Sequence, residues 1–503
     1  MKTLRKDIVI SEESQAQFRN LTDLCVGTGR VDLAMQQEYQ QQLRAVQEAC
    51  HFRYIRGHGL FSDQMGICQV HTDAEGKRHT EYCFTYLDRT VDAWREYGLK
   101  PFLELGFMPG ALTDSPNMLF YWKAHTAPPR DMNEWTALVK ATLSHLAHRY
   151  GKEEVSGWPC EIWNEPNLTG FWENADKPKY LELYRATALA VKEVLPDMKV
   201  GGPAICGGTG SQEWISDFLA FCRDKKVPVD FVTRHAYLGQ TPERRGRYLY
   251  HRMAPVSELI AEMRCSREII DSFPEYRGMP MYITEFNTSY NPFCPIHDTN
   301  LNAVTCAALL SSLGDVSDGY SYWTFGDVFE EQGIPSRPFH GGFGMMANGL
   351  IPKPTLWAFS FFAGLHGRSV YRDDCAVLMR REDGGYEGVL WNLCEDGEKE
   401  LEITVTVPME GEAAVLAERV DERTCNPLRA WYMMGEPEDL SSEQLAFLRA
   451  AGLPAAETPE AERKDGTAVV HLTLDRNALV RLRILPTERR SDEGYDYSYY
   501  CEE

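Results

Sequence analysis

The 503-residue sequence lacks long hydrophobic runs and has a deficit of positive charge. No stretch offers the roughly 20 apolar residues that a membrane-spanning helix needs, and residues 1–10 (MKTLRKDIVI) lack the apolar core of a secretion signal. With 74 acidic against 52 basic residues the net charge is −22, whereas nucleic acid and anionic membranes are bound by basic patches. We therefore expect a cytoplasmic protein that binds neither nucleic acid nor membranes.

The sequence also lacks the short motifs of several common enzyme classes. It contains no GxSxG or HExxH motif, and Gly207-Gly208-Thr209-Gly210 does not have the spacing of a phosphate-binding loop. None of the 14 cysteines forms a CxxC pair, and most fall within apolar strand or helix patterns. We therefore expect free buried thiols rather than disulfides, with no metal and no organic cofactor.

What the sequence does contain is an alternation of short β-rich runs with amphipathic helical stretches. Hydrophobic residues make up 43% of the chain and charged residues 25%, which is ordinary for a globular protein with a large core. Eight candidate strands occupy residues 52–57, 80–85, 100–109, 160–166, 199–206, 230–238, 281–287 and 320–326. Strands that alternate with helices pair in parallel, and eight such units predict an α/β fold of the (β/α)8 TIM-barrel type.

The pattern changes after Trp357, where alternating and β-branched runs are separated by Gly, Asp and Pro. Such runs are typical of an additional C-terminal antiparallel β-sandwich. We divide the chain into an N-terminal segment (1–20), a catalytic barrel (21–350), a β-sandwich accessory domain (351–488) and an acidic, tyrosine-rich tail (489–503).

Two glutamates end apolar strands on opposite sides of the predicted barrel mouth. Glu165 ends the fourth predicted strand and Glu285 the seventh, and barrel enzymes place their active sites at these strand ends. Cleavage of a glycosidic bond uses such a pair, one acid to protonate the leaving oxygen and one carboxylate to attack or to activate water. A single glutamate at the end of a strand would indicate only a solvated charge in a loop. The pair, flanked by Trp163, Pro166 and Phe286, favours catalysis.

Further polar and aromatic side chains are expected at the same strand ends. Asn164 is a natural hydrogen-bond partner for a sugar 2-hydroxyl. His235 and Tyr237 are two residues apart on one strand, so their side chains point to the same face. A hydrogen bond from Tyr237 to the nucleophile would hold it ionised, while a core histidine is the alternative reading of His235. Trp172 and Trp323 are candidate platforms for a sugar face, although most tryptophans are core.

At these residues the chain resembles glycoside hydrolase family 39, which contains β-xylosidases and α-L-iduronidases. The similarity extends through most of the chain. The matching stretches are 25–30 (CVGTGR), 54–59 (YIRGHG), 101–109 (PFLELGFMP), 161–172 (EIWNEPNLTGFW), 230–237 (DFVTRHAY), 284–290 (TEFNTSY), 322–331 (YWTFGDVFEE), 340–344 (HGGFG) and 351–354 (IPKP).

The resemblance implies a retaining mechanism in which Glu165 is the acid/base and Glu285 the nucleophile. It also implies that the subsite for the non-reducing sugar is lined by His58, Asn164, His235, Tyr237, Trp323 and Glu330. The family architecture further implies that a first N-terminal strand, near residues 6–10, joins the β-sandwich. Gly57 departs from the family pattern, and its missing side chain would enlarge the pocket beside His58.

The expected substrate is a small neutral carbohydrate. The sixth strand ends in His235-Ala236-Tyr237 without a following cation, and Glu330 in the pocket would repel the carboxylate of an iduronide. We therefore expect exo-hydrolysis of terminal β-D-xylosyl residues from xylo-oligosaccharides or xylosides. Alternatives are an arabinopyranosidase, a β-glucosidase, an iduronidase-like enzyme and a non-catalytic carbohydrate-binding barrel. The oligomeric state is left open, a homo-oligomer included.

Overall fold

Eight parallel strands close into a barrel in the computed structural model, which describes residues 2–394 and 399–488. The third strand has two segments, of which Lys100–Pro101 pairs with the second strand and Leu103–Leu105 with the fourth, and this closes the ring. The (β/α)8 prediction is therefore confirmed. The strands are Cys25–Arg30, Tyr54–His58, Lys100–Pro101 with Leu103–Leu105, Cys160–Ile162, Val200–Ile205, Phe231–Tyr237, Met281–Asn287 and Gly319–Tyr322.

One predicted barrel strand is wrong, and one barrel strand was missed. The expected strand at residues 80–85 belongs to a hairpin outside the barrel, in which Cys68–Thr72 pairs antiparallel with Arg78–Tyr82. The first barrel strand is instead the short, glycine-containing Cys25–Arg30, which pairs with Tyr54–His58 and Gly319–Tyr322. One false strand and one missed strand leave the numbering of the later strands unchanged. Glu165 therefore still follows the fourth strand, and Glu285 still lies near the end of the seventh.

A ring of eight helices surrounds the barrel. The division at residue 350 assigned the last of them to the sandwich, but its Leu356 and Phe359 lie in the barrel's hydrophobic core. Asp176 caps the fourth helix, with Oδ1 accepting from the Lys179 backbone N–H at 3.1 Å. The eight helices are Gln37–Cys50, Thr85–Glu96, Met132–Tyr150, Lys177–Val194, Ser211–Lys225, Val256–Ser272, Asn300–Ser312 and Pro354–Ala363.

Two sheets behind the barrel form the β-sandwich, as expected. Residues such as Ile8, Val405 and Val480 interdigitate between them in a separate hydrophobic core. The four-stranded sheet has the order Lys2–Val9, Lys399–Pro408, Thr467–Leu474, Ala461–Lys464, and its first pair is parallel. The six-stranded sheet has the order Arg368–Arg372, Ala376–Arg380, Tyr386–Trp391, Leu479–Thr487, Glu412–Val420, Ala455–Glu457. Two helices, Pro427–Met433 and Ser442–Ala451, are inserted before the strand Ala455–Glu457.

The thirteen cysteines at positions 25–425 are free thiols, and most are buried. Within residues 2–394 and 399–488, no helix combines the length and the apolar character needed to cross a bilayer. The acidic, tyrosine-rich tail at residues 489–503 lies outside the described residues.

Candidate active site

A cavity of about 540 Å³ opens at the carboxyl ends of the barrel strands. This size suits a small ligand, because small-molecule pockets are typically about 300–1,000 Å³. Six of the residues singled out from the sequence or its resemblance line it: His58, Glu165, His235, Tyr237, Glu285 and Trp323. Asn164 lies immediately behind Glu165, fully buried.

Glu165 and Glu285 face each other across the floor of the cavity. The two side chains present carboxylate oxygens within 4.8 Å of each other, with Nδ1 of His235 equally close. Glu165 sits in a sharp turn after its strand, where it has φ 43° and Trp163 has φ 71°. Such left-handed conformations are costly for residues other than glycine and recur at functional sites. The backbone N–H of Glu165 anchors this turn by donating to Ala204 O at 2.9 Å.

The Glu285 carboxylate receives hydrogen bonds at both oxygens. Nη1 of Arg56 donates to Oε1 at 2.9 Å, and the Tyr237 hydroxyl donates to Oε2 at 2.7 Å. Burial raises the pKa of Glu285, while the Arg56 charge and the Tyr237 hydrogen bond act in the opposite direction. Burial lowers the pKa of neighbouring His58 to about 3, so this imidazole is neutral at pH 7.

The environment of Glu165 favours its protonated form. Burial, followed by the charge of Glu285, raises the pKa of Glu165 well above its usual range. Its Oε1 lies 2.7 Å from Nδ1 of His235, and burial lowers the pKa of His235 well below its ordinary value. A neutral imidazole with its proton on Nδ1 can donate to Glu165 without supplying a charge that would ionise it.

Arg56 also organises a buried polar layer beneath the two glutamates. Its Nε donates to Glu161 at 2.6 Å, and its Nη2 donates to Asn164 Oδ1 at 2.8 Å and to Glu104 at 2.9 Å. Burial raises the pKa of Glu104 to about 8, and Nδ1 of His58 lies 2.7 Å from this carboxyl group. The sequence carried a signal for the missed Glu104, because a charged residue interrupts the apolar run Leu103–Leu105.

Glu330 does not line the cavity, which corrects the expectation from the family resemblance. Its carboxylate is bound to Arg30 and accepts from Nε2 of Gln36 at 2.9 Å. The next residue, Glu331, lines the cavity instead. Burial and the charge of Glu285 raise the pKa of Glu331 well above its usual range. Two adjacent glutamates in a loop cannot be assigned to opposite sides from sequence, because a loop has no fixed side-chain period.

Two further expectations about the pocket wall are wrong. Trp172 is not a sugar platform: it is fully buried, and its ring packs edge-on to Trp163 at 5.0 Å between centroids. Its neighbour Phe171 lines the cavity. The missing side chain of Gly57 does not enlarge the pocket, because a Cβ there would lie 2.6 Å from Cγ2 of Thr28 on the adjacent strand.

The stretches 340–344 and 351–354 meet at a buried ion cluster behind the cavity. Nζ of Lys353 lies 2.6 Å from Asp298 and 2.5 Å from Asp327, and it donates to Gly342 O at 2.9 Å. Gly342 closely approaches Asp327, since a Cβ added at Gly342 would lie 2.4 Å from Asp327 Oδ1. The cluster thereby fixes the loop that brings Phe343 into the cavity wall.

Two groups of described residues bring three potential metal-ligand atoms within 4.8 Å of one another. The first is Glu165, His235 and Glu285, whose hydrogen bonds already account for their proximity. The second is the stretch 373–375, where Asp373 is paired with Lys6 at 2.5 Å. Protein contacts therefore explain the proximity of Glu165, His235 and Glu285, and the position of Asp373.

Comparisons with known proteins show the family to which the chain belongs. The family model described as glycosyl hydrolases family 39 matches residues 7–469. A β-xylosidase of Geobacillus stearothermophilus is 43% identical over 501 residues, covering 98% of this chain and 97% of the relative. A β-xylosidase of Caldicellulosiruptor saccharolyticus is 33% identical over 438 residues, covering 84% of this chain and 86% of the relative. The crystal structure of a GH39 enzyme from Xanthomonas axonopodis pv. citri superposes with a TM-score of 0.87 at 30% identity, covering 97% of this chain and 98% of that one.

Proposed function

Because the chain belongs to glycosyl hydrolases family 39, we propose that it is a retaining exo-glycosidase that removes terminal β-D-xylosyl residues from short oligosaccharides or xylosides. The separation of the two carboxyl groups supports the retaining mechanism, and the related β-xylosidases support the choice of sugar. Glu165 and Glu285 have oxygens within 4.8 Å of each other. Retaining glycosidases hold the pair about 5–5.5 Å apart, whereas inverting enzymes need about 6.5–9.5 Å to admit a water molecule.

In the first step Glu285 attacks the anomeric carbon while Glu165 protonates the departing oxygen. Arg56 and Tyr237 stabilise the ionised form of Glu285 and orient both of its oxygens. Burial and the charge of Glu285 keep the proton on Glu165 at the start. The two carboxyl groups thus take different roles because their surroundings separate their affinities for a proton.

In the second step water hydrolyses the covalent glycosyl-enzyme. Formation of the ester removes the negative charge of Glu285, which is one of the causes of the raised pKa of Glu165. Glu165 then binds its proton less tightly and acts as the base that activates water. Two inversions at the anomeric carbon give net retention of configuration.

The charges around the cavity support a neutral sugar. Glu165, Glu262, Glu285 and Glu331 line it, and the described lining residues include no lysine or arginine. The nearby Arg56 is fully buried and is paired with three carboxylates, so it is not available to a substrate anion. The carboxylate of an iduronide would therefore find no lysine or arginine in the described cavity lining to pair with. The two β-xylosidases that resemble this chain over most of its length favour a xyloside among neutral glycosides.

Asn164 supplies the expected contact to a sugar hydroxyl. Its Oδ1 is held by Arg56, while its Nδ2 is buried without a protein partner. A buried N–H donor without an acceptor costs free energy, and a substrate hydroxyl beside Glu165 would accept this hydrogen bond. His235 and Trp323 complete the subsite, with Trp323 offering an aromatic face beside His58 at 4.5 Å between centroids.

We further propose that the enzyme acts in the cytoplasm on short oligosaccharides. The free thiols of the thirteen cysteines at positions 25–425 support this compartment, because disulfides form and persist in oxidising environments.

The direct test follows hydrolysis of nitrophenyl β-D-xyloside and xylobiose by proton NMR. We expect β-xylose to appear first and the α-anomer to follow by mutarotation. Initial release of α-xylose would disprove retention. If neither xyloside is turned over, the xylosidase proposal is wrong, and arabinopyranosides, glucosides and iduronides would be assayed with the same protein.

A further inference from the structure

The glycine-rich stretch 207–210, which has no role in the mechanism above, lies at the mouth of the active-site cavity. Gly207 and Gly208 both line this cavity and are exposed. A Cβ at Gly208 would meet nothing within 4 Å, so this part of the wall leaves room for a ligand. The stretch follows the fifth barrel strand, Val200–Ile205.

This glycine loop is held on the side of Glu165. The side chain of Asn167 makes two hydrogen bonds to the backbone of Cys206: Oδ1 accepts from its N–H, and Nδ2 donates to its carbonyl, both at 3.1 Å. Asn167 is two residues from the proposed acid. The acid must lie beside the glycosidic oxygen that it protonates, so the glycine loop lies where the leaving group departs.

A further carboxylate, Glu262, reaches the cavity at the glycine loop. It comes from the helix Val256–Ser272, and its side chain is 34% exposed. Arg234, which is fully buried on the outer face of its barrel strand, binds Oε1 of Glu262 and the hydroxyl of Ser266. Oε2 of Glu262 has no hydrogen-bond donor among the described residues, so one oxygen is fixed and the other is free to accept.

Gly207 keeps this carboxylate open to the cavity. A Cβ at Gly207 would lie 3.1 Å from Oε1 and 3.6 Å from Oε2 of Glu262. Any side chain at Gly207 would therefore crowd the carboxylate and cover its approach from the cavity. The glycine and the glutamate form one feature of the wall, although they are far apart in sequence.

We propose that Glu262 binds the leaving-group sugar, by accepting hydrogen bonds from its hydroxyls, and thereby determines specificity for sugar over aryl leaving groups. This assignment rests on the proposed glycosidase function. A carboxylate held by a buried arginine is an oriented acceptor, and hydrogen bonds to charged groups are stronger than those between neutral groups. A nitrophenyl leaving group has no hydroxyl to donate, and an anionic leaving group would be repelled.

The test compares kcat/KM for xylobiose with kcat/KM for nitrophenyl β-D-xyloside in the same preparations. In Glu262→Gln we expect the ratio of xylobiose to nitrophenyl xyloside to fall about tenfold, the size of one charge-assisted hydrogen bond. Gly207→Ala should lower the ratio in the same direction, because it crowds the intact carboxylate. Glu258→Gln is the matched control, since Glu258 is an exposed glutamate of the same helix that does not line the cavity.

The role of Glu262 is overturned if the wild-type protein hydrolyses both substrates and the ratio is unchanged in both Glu262→Gln and Gly207→Ala. That result leaves the proposed glycosidase function intact. Wild-type protein that hydrolyses neither substrate overturns the proposed function and this assignment with it. A matching fall in the Glu258→Gln control also counts against the assignment, because it would assign the effect to the charge of the helix and not to a contact.

Discussion

Nδ1 of His235 lies 2.7 Å from Oε1 of Glu165. The same nitrogen lies 3.4 Å from Oε2 of Glu285, so one neutral imidazole borders both carboxyl groups that we propose as catalytic. Its other nitrogen, Nε2, is buried without a protein partner. We therefore expect the activity to depend on pH through the proton positions at this junction.

We expect kcat/KM for nitrophenyl β-D-xyloside to fall on the alkaline side as Glu165 loses its proton. Its pKa is raised by burial and by Glu285, so the required protonated form persists at pH values well above the usual glutamic-acid range and disappears as pH rises further. In Glu165→Ala, assayed with a dinitrophenyl xyloside that needs no acid, this alkaline limb should vanish. An alkaline limb of the same midpoint in the variant would assign it to another group.

Replacement of Glu285 by alanine should abolish turnover of xylosides, by at least about a thousandfold, because no nucleophile remains. Added azide should restore consumption of the substrate and give α-xylosyl azide, since a small anion can enter the vacated space and attack once with inversion. The product is identified by NMR. β-Xylosyl azide would contradict the assignment, because azide would then have attacked an intermediate still formed on the enzyme.

Tyr237→Phe removes the hydrogen bond to Oε2 of Glu285, which is 2.7 Å long. A hydrogen bond to a charged group is worth about 1.5–3 kcal/mol, so we expect kcat/KM to fall about 10- to 100-fold. This hydrogen bond lowers the pKa of Glu285, and its loss should move the acidic limb of the pH profile to higher pH. A lower rate with an unmoved acidic limb would mean that Tyr237 only shapes the pocket.

Lys353→Met should destabilise the fold by about 3–5 kcal/mol, because it leaves Asp298 and Asp327 as unpaired buried charges. Urea unfolding followed by tryptophan fluorescence measures the change. Lys140→Met is the control, since the ion pair of Lys140 with Glu193 is exposed and should contribute under about 1 kcal/mol. Adding Asp298→Asn and Asp327→Asn to Lys353→Met should recover part of the loss. Equal destabilisation by the two lysine variants would disprove a special role for the cluster.

The sequence predicted the barrel because buried parallel strands are apolar and alternate with amphipathic helices. It missed the first strand, since Cys25–Arg30 has two glycines in six residues and resembles a turn. It misplaced 80–85 because a β-rich run does not reveal whether its partner is parallel or antiparallel. Which strands pair, and in which direction, depends on tertiary contacts between segments that are distant in the sequence.

At the candidate site, the sequence placed Glu165 and Glu285 at strand ends because each closes an apolar run. It did not indicate that Arg56 contacts Glu104, Glu161 and Glu285, since those residues come from four different strands. We expected Glu330 and Trp172 at the cavity, but Glu331 and Phe171 line it instead. Both differences have the same physical cause. Loop side chains have no regular period, so adjacent residues cannot be assigned to the cavity or the core before the loop is folded.

The parallel pairing of Lys2–Val9 with Lys399–Pro408 has a consequence for synthesis of the chain. Lys2 pairs with Lys399, so an N-terminal strand leaves the ribosome 397 residues before its partner. At about 5–20 residues per second this delay is roughly 20–80 s. The barrel strands all lie between residues 25 and 322 and are made within that interval, while the waiting strand exposes unpaired backbone N–H and C=O groups. A nascent chain stalled near residue 390 should therefore carry all eight barrel strands together with a tethered, chaperone-accessible β-strand.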